Sequence, residues 1–512
     1  MTFLEDRDLE DVPTIPEYYS GKTIFMTGGT GFMGKVLLEK LLYSCTDLDR
    51  IYLLMRAKKG VKPENRLTAL YASPCYDRLR KERPGAFESK VFYLAGDCSE
   101  LGLGLSEEDR ALIVNRTNII FHVAASVRFD DPLKTSAKLN LQSTREMVEL
   151  AKDVRNLECM VHVSTSYSNT NRDPIEEILY PPLADWRETL DICENFDDRT
   201  VNILTPKYLG EMPNTYVFTK QLAEHVVYEQ KGKLPIVIIR PSVVISSYSE
   251  PMPGWIENFN GPVGLIVASG KGILRSLYAD PDVTADYIPV DVAIRGFIAA
   301  SWIRGTKKLE PLDDIPIYHC CASSLNQVSS HEILSIGKQI VTSYPLDNMM
   351  WTIGGTITSS KLIYNFKVLL LHVLPAILID TLLWIFGKKT MVVKVHRRIY
   401  SANCALEYYL TQQWTFANKN FIYLRSKIKE EDAKEFYYEI EGIDRYDFYR
   451  HSCLGARRYL LKEKDEDLPK ARVHYKRIMF LDKVVKCLFY GCLLWWLMHS
   501  DFVCNIIDKI LY

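Results

Sequence analysis

The 512-residue chain lacks the usual cues to a scaffold held by disulfides or metal. Its twelve cysteines are scattered, Cys320 and Cys321 are adjacent, and no CxxC pair occurs, which excludes a cystine framework and a zinc-ribbon spacing. Free thiols in a reducing compartment follow, and no metal cluster is legible. Excess charge of one sign is also missing. A net charge of −1 gives no basic field to attract nucleic acid, so no nucleic-acid partner is expected. The acidic first 22 residues contain no apolar core, which excludes a signal peptide and a basic transit peptide and points to a cytosol-facing domain. The ending Ile510-Leu511-Tyr512 is no SKL-type signal. Internal repeats and low-complexity runs are absent.

What is present is an alternation. Short apolar, β-rich runs at Thr23–Thr27, Ile51–Met55, Val91–Ala95, Ile119–Val123, Cys159–Val163 and Ile236–Ile239 read as strands. Helices are expected at Lys35–Tyr43, Leu139–Asp153 and Val217–Tyr228. Continuous apolar strands between helices imply a parallel sheet covered on both faces, an α/β fold of the doubly wound Rossmann type. Thr170–Pro213, rich in proline and charge, interrupts the rhythm and reads as an insertion shaping a substrate pocket. Composition shifts between about 345 and 362. The domains are therefore expected at 15–345 (cofactor-binding and catalytic), 360–460 (mainly helical) and 480–512 (an apolar, membrane-associating tail).

The first strand runs into Thr27-Gly28-Gly29-Thr30-Gly31-Phe32-Met33-Gly34 and then a helix. Glycines at 28, 31 and 34 give GxxGxxG, the short-chain dehydrogenase spacing: a tight turn, close approach to a pyrophosphate, and close helix–strand packing. The helix N-terminus adds N–H donors and the positive dipole end. An NAD enzyme carries an acid at the end of the second strand; here the strand ends Met55-Arg56, followed by Ala57-Lys58-Lys59. A guanidinium at Arg56 suits a 2′-phosphate, so NADPH is the expected cofactor. Asp97, after the third strand, resembles the acidic contact to adenine.

Carbonyl reduction needs a proton donor and a group that polarises the carbonyl. A tyrosine titrates near 10, and a lysine one helical turn later can acidify it. YxxxK occurs at Tyr18/Lys22, Tyr216/Lys220 and Tyr423/Lys427; Tyr18 precedes the glycine loop and Tyr423 falls beyond the domain, which leaves Tyr216/Lys220, downstream of a fifth strand. The hydroxyl partner should end the preceding strand, in Ser164-Thr165-Ser166, with Thr165 and Ser166 both candidates. Ala124 and Ala125 end the fourth strand, where small residues admit the cofactor. Asn140 resembles the asparagine of a proton-relay tetrad, and Arg240-Pro241-Ser242 the segment contacting nicotinamide, which adds Pro241 and Ser242 to the cofactor set. His122 and His162 read as satisfied core histidines.

Longer stretches carry a more specific resemblance: TGGTGFMGKVLLEKLL from Thr27, PNTYVFTKQLAEH from Pro213, RPSVVISSYSEPMPGWIENFNGPVG from Arg240, GKGILR from Gly270 and HVLPAILIDTLLWIFGKK from His372. From about residue 15 to 460 the chain resembles alcohol-forming fatty acyl-CoA reductases, extended short-chain dehydrogenases with a C-terminal male-sterility domain, and is closest to their insect branch. The resemblance implies reduction of long-chain fatty acyl-CoA to a primary alcohol with two NADPH, through an aldehyde, with release of CoA. It assigns Tyr216 as proton donor and Lys220 as the group that lowers its pKa and holds the nicotinamide ribose. Family members often have alanine where Ser166 stands, which makes Thr165 a rival to Ser166 as the hydroxyl partner. The alternatives are a sterol or nucleotide-sugar dehydrogenase, or a non-catalytic membrane scaffold.

Two apolar stretches remain. Val368–Phe386 approaches the length of a membrane span but contains His372, Pro375 and Asp380, so a buried or tunnel-lining helix competes with a span. Cys487–Met498, extendable from Val484 to Ile507, follows Arg472, Lys476 and Arg477 and reads as an interfacial anchor, with a core helix as the alternative. A membrane lipid surface is thus an expected partner, at the endoplasmic reticulum, with peroxisome or lipid droplet as alternatives. A homo-oligomer is left open.

Overall fold

The structure is a computed structural model that describes residues 12–57, 60–259, 261–306, 313–322 and 326–499. Lys58, Lys59, the first eleven residues and the C-terminal part of the expected tail, including Asp501, Ile507 and Ile510–Tyr512, lie outside the described residues.

Two compact units form, and they interleave along the chain. The first takes residues 1–261, 283–329 and 408–452, and the second 262–282, 330–407 and 453–512. The linear division at 345–360 and 460 does not coincide with them: Tyr408–Ser452 returns to the first unit, and Pro262–Asp282 leaves it.

The first unit is built on seven parallel strands: β1 (Thr23–Thr27), β2 (Arg50–Met55), β3 (Val91–Ala95), β4 (Ile119–His122), β5 (Cys159–Val163), β6 (Ile236–Pro241) and β7 (Ile317–Cys320), in the order β7-β6-β5-β4-β1-β2-β3. Order reverses between β1 and β4, where a doubly wound sheet binds its ligand. Strands β1, β4, β5 and β6 are buried at every residue, the reason their sequences are unbroken apolar runs. Helices α1 (Phe32–Ser44), α2 (Pro63–Tyr71), α3 (Glu107–Arg116), α4 (Ser143–Asp153), α5 (Thr215–Tyr228) and α6 (Val290–Gly305) lie between them in sequence.

The strands expected from sequence recur within two residues at each end, while β7 was not anticipated. The helix expected from Leu139 opens with a π-helical turn, Ala137–Gln142, before α4. The insertion is more regular than its prolines suggested. It holds helices Trp186–Asn195 and Asp198–Tyr208, capped by Asp185 and Asp197, whose carboxylates accept the first backbone N–H groups. Segment 408–452 is pinned to this unit by Trp414, whose indole donates to the Thr170 carbonyl at 2.9 Å, and by Asn420, whose N–H donates to Glu177 at 2.6 Å.

The second unit is mainly helical, with a two-stranded parallel pair, Ser276–Tyr278 and Thr356–Thr358. Its helix Lys361–Ile385 spans 25 residues, long and apolar enough to cross a membrane, and only 17% of its most apolar window is buried. The buried-helix reading of Val368–Phe386 is therefore overturned: Leu378 is 63% exposed and Trp384 73%. A core helix is likewise excluded for Cys487–Met498, the end of helix Leu468–Met498, where Leu488, Leu494, Trp495 and Trp496 are all exposed.

Candidate active site

At the end of β1 the chain must turn within a few residues into α1. Gly28 does so with φ at +75°, a conformation side chains rarely adopt. A Cβ on Gly28 would lie 2.7 Å from the Ala124 nitrogen, and one on Gly34 would lie 2.2 Å from the Gly28 carbonyl oxygen. No substituent fits either place. Gly31 is the N-cap of α1, and no side chain caps it, so the Phe32-Met33-Gly34 turn presents backbone donors at the positive helix end. A cradle closed to Cβ atoms beneath an uncapped helix suits a dinucleotide pyrophosphate. Thr27 ties its floor together: its hydroxyl meets His122 Nδ1 at 2.9 Å and accepts the Ala124 N–H at 3.3 Å.

At the rim, Arg56 donates to Asp97 at 3.3 Å, joining the two residues expected at the adenosine end. Beside them stands a residue the sequence reading missed. Arg66 on α2 donates to the Arg56 carbonyl and, at 3.4 Å, to the Thr30 hydroxyl. A basic residue three places into a proline-started helix after β2 was the available signal. Two guanidiniums and a threonine hydroxyl thus meet at this rim, donors suited to an anionic group.

The candidate reacting groups are brought together by the last residues of β5 and the loop after it, which address one face of α5. The Val163 carbonyl accepts from Lys220 Nζ at 2.7 Å, and Ser164 Oγ donates to Glu224 at 2.5 Å. Thr165 opposes the rise in the Tyr216 phenol's pKa, while its hydroxyl accepts the Tyr167 N–H at 3.3 Å. Positions 216, 220 and 224, one turn apart on α5, thus face three consecutive residues, two of which bond Lys220 and Glu224. Ser166 Oγ is buried with no partner, which leaves Thr165 as the hydroxyl that acts on Tyr216. Glu224 also takes a bidentate bond from Arg240 at 2.6 and 2.8 Å, a pair buried almost completely.

Burial pushes the Tyr216 phenol up to about 12, opposed by Thr165. It pulls the Lys220 ammonium down to about 8, opposed by Glu224. Desolvation is the largest influence on the phenol, and the Lys220 ammonium donates to the Val163 carbonyl. For a proton donor a raised pKa is no handicap: a phenol near 12 is fully protonated at neutral pH, and a nascent alkoxide is a far stronger base.

Asn140, in the π-helical turn, accepts the Ser126 N–H at 2.8 Å and donates to Ser126 O at 3.2 Å and to Thr219 Oγ1 at 3.1 Å. It braces the residue next to Lys220 and makes no bond to Lys220 itself. Ala124 and Ala125 lie partly open after β4, and Pro241 and Ser242 at the end of β6, with Ser242 Oγ unpartnered. His122 is satisfied by Thr27 and Thr144, but neither nitrogen of the buried His162 has a partner, which corrects the reading of both as satisfied. Burial and the nearby Lys220 charge hold both imidazoles neutral. A further unanticipated neighbour comes from the returning segment. Tyr409 accepts from Asn214, the N-cap of α5, at 2.9 Å, and its ring packs 5.1 Å from Phe129, which lies 6.0 Å from Tyr216. The other two YxxxK tyrosines are elsewhere: Tyr18 is buried against Gly305, and Tyr423 lies beneath Lys427.

Sheet order, glycine cradle and the Tyr216–Lys220 helix define a nicotinamide-dependent oxidoreductase of the short-chain dehydrogenase type. A family profile described as male sterility protein, NAD-binding, matches residues 26–297, and a second male-sterility profile matches 371–463. The chain is 39% identical over 470 residues to fatty acyl-CoA reductase 1 of Mus musculus, covering 91% of this chain and 90% of that one. It is 34% identical over 500 residues to fatty acyl-CoA reductase wat of Drosophila melanogaster, covering 97% and 96%. The chain belongs to the fatty acyl-CoA reductase family. Among solved structures, the reductase domain of a nonribosomal peptide synthetase from Mycobacterium tuberculosis shares the fold, with a TM-score of 0.56, 16% identity, and coverage of 89% of this chain and 96% of that one.

Proposed function

We propose that the chain reduces long-chain fatty acyl-CoA to the primary alcohol with two NADPH, releasing CoA, and that Tyr216 is the proton donor. The observation that carries this reading is the convergence of Tyr216, Thr165 and Lys220 at the carboxyl edge of the sheet, the same edge that bears the glycine cradle. Thr27, Gly28, Thr30, Gly31, Phe32, Met33 and Gly34 would hold the pyrophosphate. Arg56, with Arg66, would take the 2′-phosphate, and Asp97 the adenine. Ala124, Ala125, Asn140, Pro241 and Ser242 would border the nicotinamide half, and Lys220 its ribose. When bound, the nicotinamide supplies hydride. Thr165 orients the thioester carbonyl, and Tyr216 gives its proton to the carbonyl oxygen as the carbon is reduced. The hemithioacetal expels CoA as a thiol, leaving an aldehyde, which the same groups reduce to the alcohol. NADPH is favoured over NADH because β2 is followed by Arg56 and no carboxylate.

The protein is proposed to work on a membrane surface facing the cytosol, at the endoplasmic reticulum, with peroxisome and lipid droplet as the alternatives that fractionation would separate. A lipid surface suits a long acyl substrate and a product that partitions into lipid. Incubation of the full-length protein with NADPH and a series of acyl-CoAs, followed by mass spectrometry, tests the reading. Two NADPH consumed and one CoA released per alcohol support it. Turnover of a 3-hydroxysteroid or a nucleotide sugar instead would overturn it.

A further inference from the structure

The 25-residue apolar helix Lys361–Ile385 is one arm of a helical hairpin. Its partner arm, the 392–407 part of helix Val392–Leu410, runs antiparallel to it and is clipped at both ends. At one end Lys361 Nζ donates to Glu407 at 2.8 Å. At the other, the Asp380 carboxylate accepts the backbone N–H groups of Met391, Val392 and Val393 at 2.9 to 3.0 Å and so caps the second arm. Between the clips Tyr364 stacks on Tyr400 and His372 meets His396. Asp380, the residue that most opposes a lipid-facing helix, is thus fully used inside the hairpin. His372 accepts the Arg275 N–H, and Thr381 donates to the Ile377 carbonyl. Only the row Tyr364, Val368, His372 and Ala376 is buried; the other faces expose Leu, Ile, Phe and Trp side chains.

The tip has the opposite character. Lys388, Lys389, Lys394, Arg397 and Arg398 cluster in the turn and the start of the second arm, all exposed, and among the described residues none is in an ion pair. A hairpin standing upright in a bilayer would drag these five cations through hydrocarbon, each disfavoured roughly a hundredfold at the membrane centre. Lying flat, it would submerge the apolar arm and bring the cations to the lipid phosphates, where each strengthens binding roughly fivefold.

We propose that the 361–407 hairpin lies in the plane of an anionic lipid surface, its apolar arm sunk at the head-group boundary and its basic tip on the lipid phosphates, without crossing the bilayer. The proposal deepens the membrane association put forward above and rests on it.

Two measurements on the full-length protein test it. In sealed microsomes carrying the Thr390→Cys variant, a PEG-maleimide should add one extra label without detergent, because the turn stays on the cytosolic side; labelling of that cysteine only after detergent would overturn the proposal. Flotation with phosphatidylcholine vesicles should strengthen at least tenfold when phosphatidylserine is included. The Lys388→Gln/Lys389→Gln/Arg397→Gln/Arg398→Gln variant should lose that gain while keeping its turnover of soluble acyl-CoA. Equal flotation of parent and variant on both vesicles overturns the anionic-surface assignment alone. No flotation on any vesicle overturns the membrane reading itself, and the hairpin proposal with it.

Discussion

Replacing Lys220 by Met should separate a catalytic requirement from a structural cost. The side chain is 2% exposed, and burial lowers its pKa from the ordinary 10.5 to about 8. At about 1.4 kcal/mol per pH unit, that difference is roughly 3 kcal/mol of penalty for keeping a buried ammonium at neutral pH. The sign follows from proton binding. Below about pH 8 the folded and unfolded chains both carry the charge, and the folded state bears the full cost. Between about 8 and 10.5 only the unfolded chain still binds the proton, so stability at this site rises with pH, and above 10.5 the cost is gone. The Met variant has no such dependence, but it strands the Val163 carbonyl, a loss of about 1 kcal/mol. It should therefore be more stable than the parent by roughly 2 kcal/mol at pH 7, with the gap closing and then reversing toward pH 10.5. Its turnover should fall at least a hundredfold. The parent's own turnover should decline as pH passes about 8. Urea unfolding followed by intrinsic fluorescence, at a series of pH values, reads the first effect, and NADPH oxidation reads the second. A stability difference that stays flat across this range, or a variant within tenfold of parental turnover, would refute the reasoning.

The same geometry yields further expectations. Tyr216→Phe removes the proton donor but keeps the ring packing, and should cost about 10²- to 10⁴-fold in turnover with little change in stability; a mild loss would relocate the acid. Arg66→Ala should weaken NADPH binding roughly tenfold or more while leaving NADH nearly untouched, which isothermal titration with the two cofactors would check. Gly34→Ala places a Cβ against the Gly28 carbonyl and should abolish cofactor binding in the same titration. Glu224→Ala leaves the Arg240 guanidinium buried and unpaired, a loss of about 3–5 kcal/mol, whereas Glu224→Gln should be milder; equal effects would show that the charge pair contributes nothing.

The sequence disclosed those parts of the site that depend on local spacing. GxxGxxG between a strand and a helix, and YxxxK after the fifth strand, are each fixed by a few contiguous residues whose chemistry demands that pattern. Features created by distant approach stayed hidden. Tyr409 reaches Asn214 across 195 positions, and nothing near either residue signals the meeting. Arg66 acquires meaning only because α2 folds back over Thr30 and Arg56. Burial was the other blind spot: desolvation, the largest influence on the phenol, depends on everything packed around Tyr216. The interleaved units were illegible for the same reason, since the return of 408–452 is set by long-range bonds such as that from Trp414 to Thr170.

The most direct test is a structure of the protein with NADP⁺ and a non-reducible acyl-CoA analogue. The pyrophosphate should rest on Gly28–Gly34, and Tyr216 Oη and Thr165 Oγ1 should both lie within about 3 Å of the acyl carbonyl oxygen, on the side facing the nicotinamide. A dinucleotide bound elsewhere, or a Tyr216 hydroxyl turned away from that oxygen, would contradict the account.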